Sequence, residues 1–152
     1  MPAHVTLISP FLDSAHIDGR VIANLERIVG SSPAFDVAFE SVGRWPASEH
    51  GPGVVWLRPG PGAAFVGLTR AIWAAYPDAP PYGRLDDDLE PHLTIAIDDP
   101  ARFDAAERAA TAHLPFSRRI ESAALLVERS DGRWSAGRRF AFGAVQGGAD
   151  LG

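Results

Sequence analysis

Residues 90–97 read EPHLTIAI, and residues 2–11 read PAHVTLISPF. The two stretches share a His-x-Thr triplet, His4-Val5-Thr6 and His92-Leu93-Thr94, set after Pro-Ala or Pro and followed by β-forming residues. Alternation predicts a strand for each. In the first, from His4 to Ile8, His4, Thr6 and Ile8 oppose Val5 and Leu7; in the second, His92, Thr94 and Ala96 oppose Leu93, Ile95 and Ile97. Residues two apart in a strand point the same way, roughly 6.5–7 Å from each other, so each triplet sets an imidazole and a hydroxyl on one face. The intervening Val5 and Leu93 pack inward and fix the register.

Outward from these triplets, the rest of the chain falls into a repeated order. After the first comes a helix that Asp13 or Ser14 can cap, with Ile17, Val21, Ile22, Leu25, Ile28 and Val29 at helical spacing and Gly30 at its end. Residues 34–43, AFDVAFESVG, alternate Phe35, Val37 and Phe39 against polar or small neighbours, as a half-buried strand does. VVWLR, residues 54–58, predicts another strand, with Trp56 in the core. A second helix runs from Gly62 to Tyr76 on the face of Phe65, Leu68, Ile72 and Trp73. A Pro- and acid-rich loop, residues 77–91, leads to the second triplet, and a helix follows from about Pro100 to Leu114, with Pro100 in the first turn. Two strand-like stretches, residues 118–129 and 133–143, are joined by a Ser-Asp-Gly hairpin signal. The tail from about Ala144 is small, polar and expected to be loose.

Each half thus reads His-x-Thr strand, helix, then two further strands: a duplicated β-α-β-β unit. The second triplet has a strand and a helix before it, whereas three residues precede the first. Equivalence of the halves predicts that the first lobe lacks a leading strand and helix, through truncation or because another copy supplies that edge.

The 152 residues suit one domain, or two small lobes sharing a core, and 46% are apolar. No apolar run reaches 18 residues and no signal peptide is visible, so the expectation is a cytoplasmic protein with no membrane partner. The absence of cysteine excludes disulfides, thiolate zinc sites and a Cys nucleophile. All 14 basic residues are Arg, yet the net charge is −5, which disfavours long nucleic acid and leaves room for a small anion in a local pocket.

Two imidazoles and two hydroxyls around one point suit phosphoryl chemistry. An imidazole titrates near pH 6.5, so one takes a proton from the nucleophile while its twin gives one to the leaving oxygen. Thr6 and Thr94 would hold non-bridging phosphate oxygens, and neither metal nor cofactor is required. One His-x-Thr alone is an ordinary structural pair. Two at equivalent places in matched units point to function.

PAHVTLISPF and EPHLTIAI resemble the paired motifs of the two-histidine (2H) phosphoesterase superfamily, which includes 2′-5′ RNA ligase-like proteins and cyclic nucleotide phosphodiesterases. The resemblance runs through FDVAF, VVWLRP, the PPYG loop and the closing hairpin, over most of residues 4 to about 143. It implies a bilobal, pseudo-symmetric α+β fold with two antiparallel sheets around a central cleft and helices outside. It also implies metal-free hydrolysis or formation of 2′,3′-cyclic or 2′-5′ phosphodiesters, with His4 and His92 as acid and base in undecided order beside Thr6 and Thr94. The expected partner is a small nucleotide or an RNA terminus. The rival reading is a nucleotide- or RNA-end-binding module without turnover.

Phe11 and Tyr82 flank the motifs and are candidates for stacking a nucleobase, with core or rim packing as the alternative. Arg84, Arg138 and Arg139 are the candidates for a phosphate contact, and spacing does not say which of them points inward. His16, His50 and His113 are assigned surface or capping roles. The run Asp86, Asp87, Asp88 and Glu90 is expected to be a solvated loop rather than an ion site that includes or orients His92.

Overall fold

The computed structural model describes residues 3–144 apart from His50, residues 85–87, Asp98, Ser130 and Asp131. Three helices and six strands are described: α1 (Gly19–Gly30), β1 (Phe35–Trp45), β2 (Val54–Gly60), α2 (Ala63–Ala75), β3 (Leu93–Ile97), α3 (Pro100–Thr111), β4 (Phe116–Ile120), β5 (Ser122–Glu128) and β6 (Trp134–Ala141). They form the expected α+β fold with two antiparallel sheets, one of four strands in the order β3-β2-β1-β4 and one of two, β5-β6. His50, the acidic positions Asp86 and Asp87, two residues of the hairpin turn and the tail beyond Ala144 lie outside the described residues.

Three local expectations change. The segment His4–Ile8 is not a regular strand: Val5 alone makes a ladder bridge, antiparallel to Leu93. The Leu7 carbonyl accepts instead from the Thr69 hydroxyl at 3.2 Å, so a side chain takes the place of a ladder bond. The first helix begins later than Asp13 or Ser14. Asp13 caps a single 3₁₀ turn, Ser14–His16, and Asp18 accepts from the Arg20 and Val21 N–H groups at 2.9 Å each, opening α1 at Gly19. The stretch 118–129 breaks at Glu121 into two strands that serve different sheets. β4 pairs with β1, from Phe35↔Ile120 to Phe39↔Phe116, whereas β5 pairs with β6.

Two apolar clusters explain the layering. Leu25, Ile28 and Val29 of α1, Leu68 and Ile72 of α2 and Phe140 of β6 form the first, with Ala123 and Leu125 against it. Its sources are one face of each helix and the inward residues of the β5-β6 hairpin. Val37 and Phe39 of β1, Leu57 of β2 and Phe65 of α2 form the second, joined by Val5, Leu93 and Ile95 and by Ala110 and Leu114 from α3 and its end. One side of the four-stranded sheet is therefore packed with aliphatic and aromatic side chains, and alternation turns the intervening residues to the other side.

On that other side Trp56 needs room. A Cβ at Gly43, its partner across β1 and β2, would overlap the indole ring. Gly43→Ala is therefore expected to destabilise the protein by about 1–3 kcal/mol, as overpacking does. Gly67, exposed within α2 with open space around it, should respond oppositely, Gly67→Ala adding about 0.5–1 kcal/mol. Urea unfolding midpoints of the two variants check both signs.

Candidate active site

The site follows from a single row of paired residues. Leu93 is paired with Leu57 on one side and bridged to Val5 on the other, and all three lie in or against the second apolar cluster. In antiparallel pairing the residues flanking a pair also lie opposite each other. The Val5 bridge thus sets His4 alongside Thr94 and Thr6 alongside His92. The Leu57 pair sets Trp56 opposite Thr94, as its register states, and Arg58 alongside His92. Because Val5, Leu57 and Leu93 turn inward, His4, Thr6, His92, Thr94, Trp56 and Arg58 share the opposite face of the sheet. His4, Thr6 and His92 are half-buried, and Thr94 is exposed.

His92 is held on several sides. Its Nδ1 lies 2.9 Å from the Glu90 carbonyl oxygen, which can only accept, so the proton sits on Nδ1 and Nε2 carries the lone pair. Trp45 meets the imidazole edge-to-face, with ring centroids 4.6 Å apart, and Trp56 lies behind at 6.2 Å. Tyr82 stacks on it at 5.9 Å with 29° between the planes. Tyr82 occupies left-handed backbone space, φ 55°, where a side chain other than Gly, Asn or Asp is strained. Its N–H donates to the Ser9 carbonyl at 2.8 Å and its hydroxyl bonds the Thr6 side chain, so the turn is fixed at both ends of the residue. Although 47% of Tyr82 is exposed, its phenol is desolvated. Burial raises the phenol pKa above its ordinary value, and the Thr6 hydrogen bond opposes that in part.

The structure thus brings Tyr82 to the histidine face and carries Arg84, exposed, two residues on. It does not bring Phe11 there: that ring meets Tyr76 edge-on at 5.1 Å and packs against the first apolar cluster. Arg138 pairs with Glu26 at 3.4 Å and Arg139 donates to the Ser122 hydroxyl at 3.3 Å, both on the two-stranded sheet. Glu90 does orient His92, but through its backbone; its carboxylate pairs with Arg58 at 2.6 Å. Trp45, Trp56 and Arg58 are neighbours of the site that residue spacing did not single out as such. The alternation in VVWLR puts Trp56 and Arg58 on one face, but only the register of β2 with β3 puts that face beside His92.

A family model described as 2′-5′ RNA ligase superfamily matches residues 1–132 of the chain. Among curated proteins no sequence matches it. Among solved structures it is similar to TT0787 of Thermus thermophilus, with a TM-score of 0.64 at 15% identity over 95% of this chain and 82% of that one. It is also similar to Escherichia coli LigT. The LigT structure with 3′-AMP gives a TM-score of 0.54 at 20% identity, covering 92% of this chain and 76% of that one. The LigT structure with NADP+ gives 0.54 at 22%, covering 93% and 76%. At these identities the structural likeness is one of fold.

The raised phenol pKa of Tyr82 carries a sign. The folded state favours the neutral phenol, so the associated stability is intact below the ordinary phenol range near pH 10 and is lost as pH rises through the higher folded value. Urea unfolding between pH 9 and 11 should therefore show a steeper alkaline loss in the wild type than in Tyr82→Phe. Phenolate absorbance should show a late-titrating tyrosine that disappears in the variant.

Proposed function

The chain belongs to the 2′-5′ RNA ligase superfamily, and we propose that it is a phosphoesterase of that group which opens, or in reverse forms, a 2′,3′-cyclic or 2′-5′ phosphodiester of a nucleotide or RNA end. His4 and His92 exchange the protons, and Thr6 and Thr94 hold the phosphate. The observation that carries this reading is the antiparallel Val5–Leu93 bridge, which draws together two triplets 88 residues apart in the chain (His4 to His92, 92 − 4 = 88). Diagonal neighbours across an antiparallel pair lie roughly 7–8 Å apart, a span that a phosphate with a hydrogen bond on each side fills.

In the hydrolytic direction one imidazole accepts a proton from water through Nε2 as the water oxygen attacks phosphorus. The other, protonated, gives its proton to the departing ribose oxygen, leaving a phosphomonoester. For His92 the Glu90 carbonyl supports this use, since it holds Nδ1–H and fixes the ring. The Thr hydroxyls donate to the non-bridging oxygens, where negative charge grows in the transition state. Metal independence is part of the proposal. It is supported by this division of labour, in which two imidazoles move the protons and two hydroxyls hold the phosphate.

A small nucleotide or RNA terminus suits the site better than a long strand. The net charge of −5 works against an extended phosphate track, and E. coli LigT, similar in fold, is solved with the small nucleotides 3′-AMP and NADP+. The exposed side of Tyr82 offers a platform for the base, with Arg84 as a nearby cation. Phe11 packs edge-on against Tyr76 beside the first apolar cluster. One observation favours the rival, a binding module without turnover: the Thr6 hydroxyl already bonds Tyr82.

The two readings separate in one assay. Wild type with EDTA present should hydrolyse 2′,3′-cyclic nucleotides, and His4→Ala and His92→Ala should each lose about 10²- to 10⁴-fold in kcat. Binding of the cyclic nucleotide without turnover in the wild type would establish the binder. Loss of activity on chelation, or full activity in both histidine variants, would end the two-histidine reading.

A further inference from the structure

Arg58 lies across β3 from the proposed phosphate position. The quartet His4, Thr6, His92 and Thr94 straddles β3 and the N-terminal segment, whereas Arg58 is on β2, on the other flank of β3 and in register with His92. Neighbouring strands are about 4.8 Å apart, so Arg58 stands one strand spacing beyond the reacting phosphate, on the same face of the sheet.

Two contacts give its guanidinium a defined place. It lies 5.2 Å from the centroid of the Trp56 ring, which is 4% exposed and so forms a rigid base for the cation. Its Nη2 meets Glu90 Oε1 at 2.6 Å. The Arg58 side chain nonetheless keeps 60% of its surface open, and a guanidinium carries five N–H donors in a planar fork suited to phosphate. An exposed ion pair of this kind is weak, so a phosphate oxygen can join or displace the carboxylate. In a chain of net charge −5, a cation fixed beside the site is what a second anionic group would need.

We propose that Arg58 is a specificity-determining residue that binds a second phosphoryl group of the substrate, next to the one held between the histidines. The protein then prefers 2′,3′-cyclic ends bearing a 5′-phosphate or 5′-phosphodiester to cyclic nucleosides without one. This rests on the phosphoesterase reading for its catalytic half, while its binding half stands by itself.

The test compares adenosine 2′,3′-cyclic phosphate with its 5′-phosphorylated form in wild type, Arg58→Gln, Arg58→Lys and Arg118→Gln. Arg118 is the control: it is an exposed Arg over an aromatic ring, Phe116, on β4 at the far edge of the same sheet. Wild type and Arg118→Gln should favour the 5′-phosphorylated substrate by about tenfold or more in kcat/KM, the worth of a charge-assisted hydrogen bond. The ratio should fall to about one in Arg58→Gln and lie between in Arg58→Lys, which keeps the charge and loses the planar fork.

Calorimetric titration with 2′-AMP and adenosine 2′,5′-bisphosphate gives the same comparison without turnover. A wild-type preference for the bisphosphate that Arg58→Gln abolishes, in a protein that hydrolyses neither substrate, would uphold Arg58 and overturn the catalytic reading. Equal handling of both ligands by wild type, or an undiminished preference in Arg58→Gln, would overturn the assignment of Arg58 while leaving hydrolysis intact. Arg58→Lys keeps the comparison available if the Gln variant does not fold.

Discussion

The row Leu57–Leu93–Val5 is the constraint from which the site follows. These three side chains pack in or against one apolar cluster with Val37, Phe39 and Phe65. Strand side chains alternate, so burying this row leaves the flanking imidazoles and hydroxyls no direction except the opposite face. A slip of one residue at either contact would turn a histidine inward and a leucine or valine out, at the cost of desolvating a polar ring without a partner. The hydrophobic register of the sheet and the layout of the candidate site are thus the same fact.

How much of this was legible in the sequence depended on whether the signal was local. The strands at Phe35, Val54 and Leu93 and the helices at Ala63 and Pro100 follow from periods of two and 3.6 residues, and they stand within a few residues of where those periods put them. The two triplets were legible because they repeat. Alternation alone did not reveal that the first is held by a single bridge, because the Thr69 hydroxyl that takes the Leu7 carbonyl comes from 62 residues away. The start of α1 departs from the spacing for the opposite reason. Two Asp caps lie close together, and the second holds two N–H groups where the first holds one. Trp45, Arg58 and the place of Trp56 behind His92 depend on which strand lies beside which, and on irregularities at Phe39/Ser41 and Val55/Trp56 that a local pattern does not encode.

The aromatic surroundings of His92 illustrate a compromise between packing and hydrogen bonding. Trp56 is buried, and among the described residues its Nε1 has no hydrogen-bond partner, an arrangement that ordinarily costs about 1–3 kcal/mol. The ring makes several contacts in return. It meets Trp45 at a centroid distance of 4.8 Å with the planes tilted by 35°, backs His92 and underlies the Arg58 guanidinium. All of these require the indole to lie flat over β1, which the missing side chain of Gly43 permits. The unsatisfied N–H is therefore bound up with the same geometry that fixes the histidine and the cation beside it.

The two triplets sit in different local structures. His92 directly precedes a regular strand and has a carbonyl and three rings around it. The first triplet belongs to a segment that bridges β3 at Val5 and accepts from Thr69 at the Leu7 carbonyl, and apolar packing adds to these contacts. Leu7 lies against both apolar clusters, the one beneath the four-stranded sheet and the one between the helices and the β5-β6 hairpin. This makes the segment a seam between the two layers of the fold. Burial of Val5 and Leu7 therefore contributes to the position of His4, together with the Val5–Leu93 bridge. Tyr82 adds a link on the open face through its hydroxyl to Thr6, and its N–H to the Ser9 carbonyl ties the 80–84 turn to the end of the same segment. The strained backbone of Tyr82 is consistent with this arrangement, since a left-handed tyrosine persists only where contacts on several sides over-determine it.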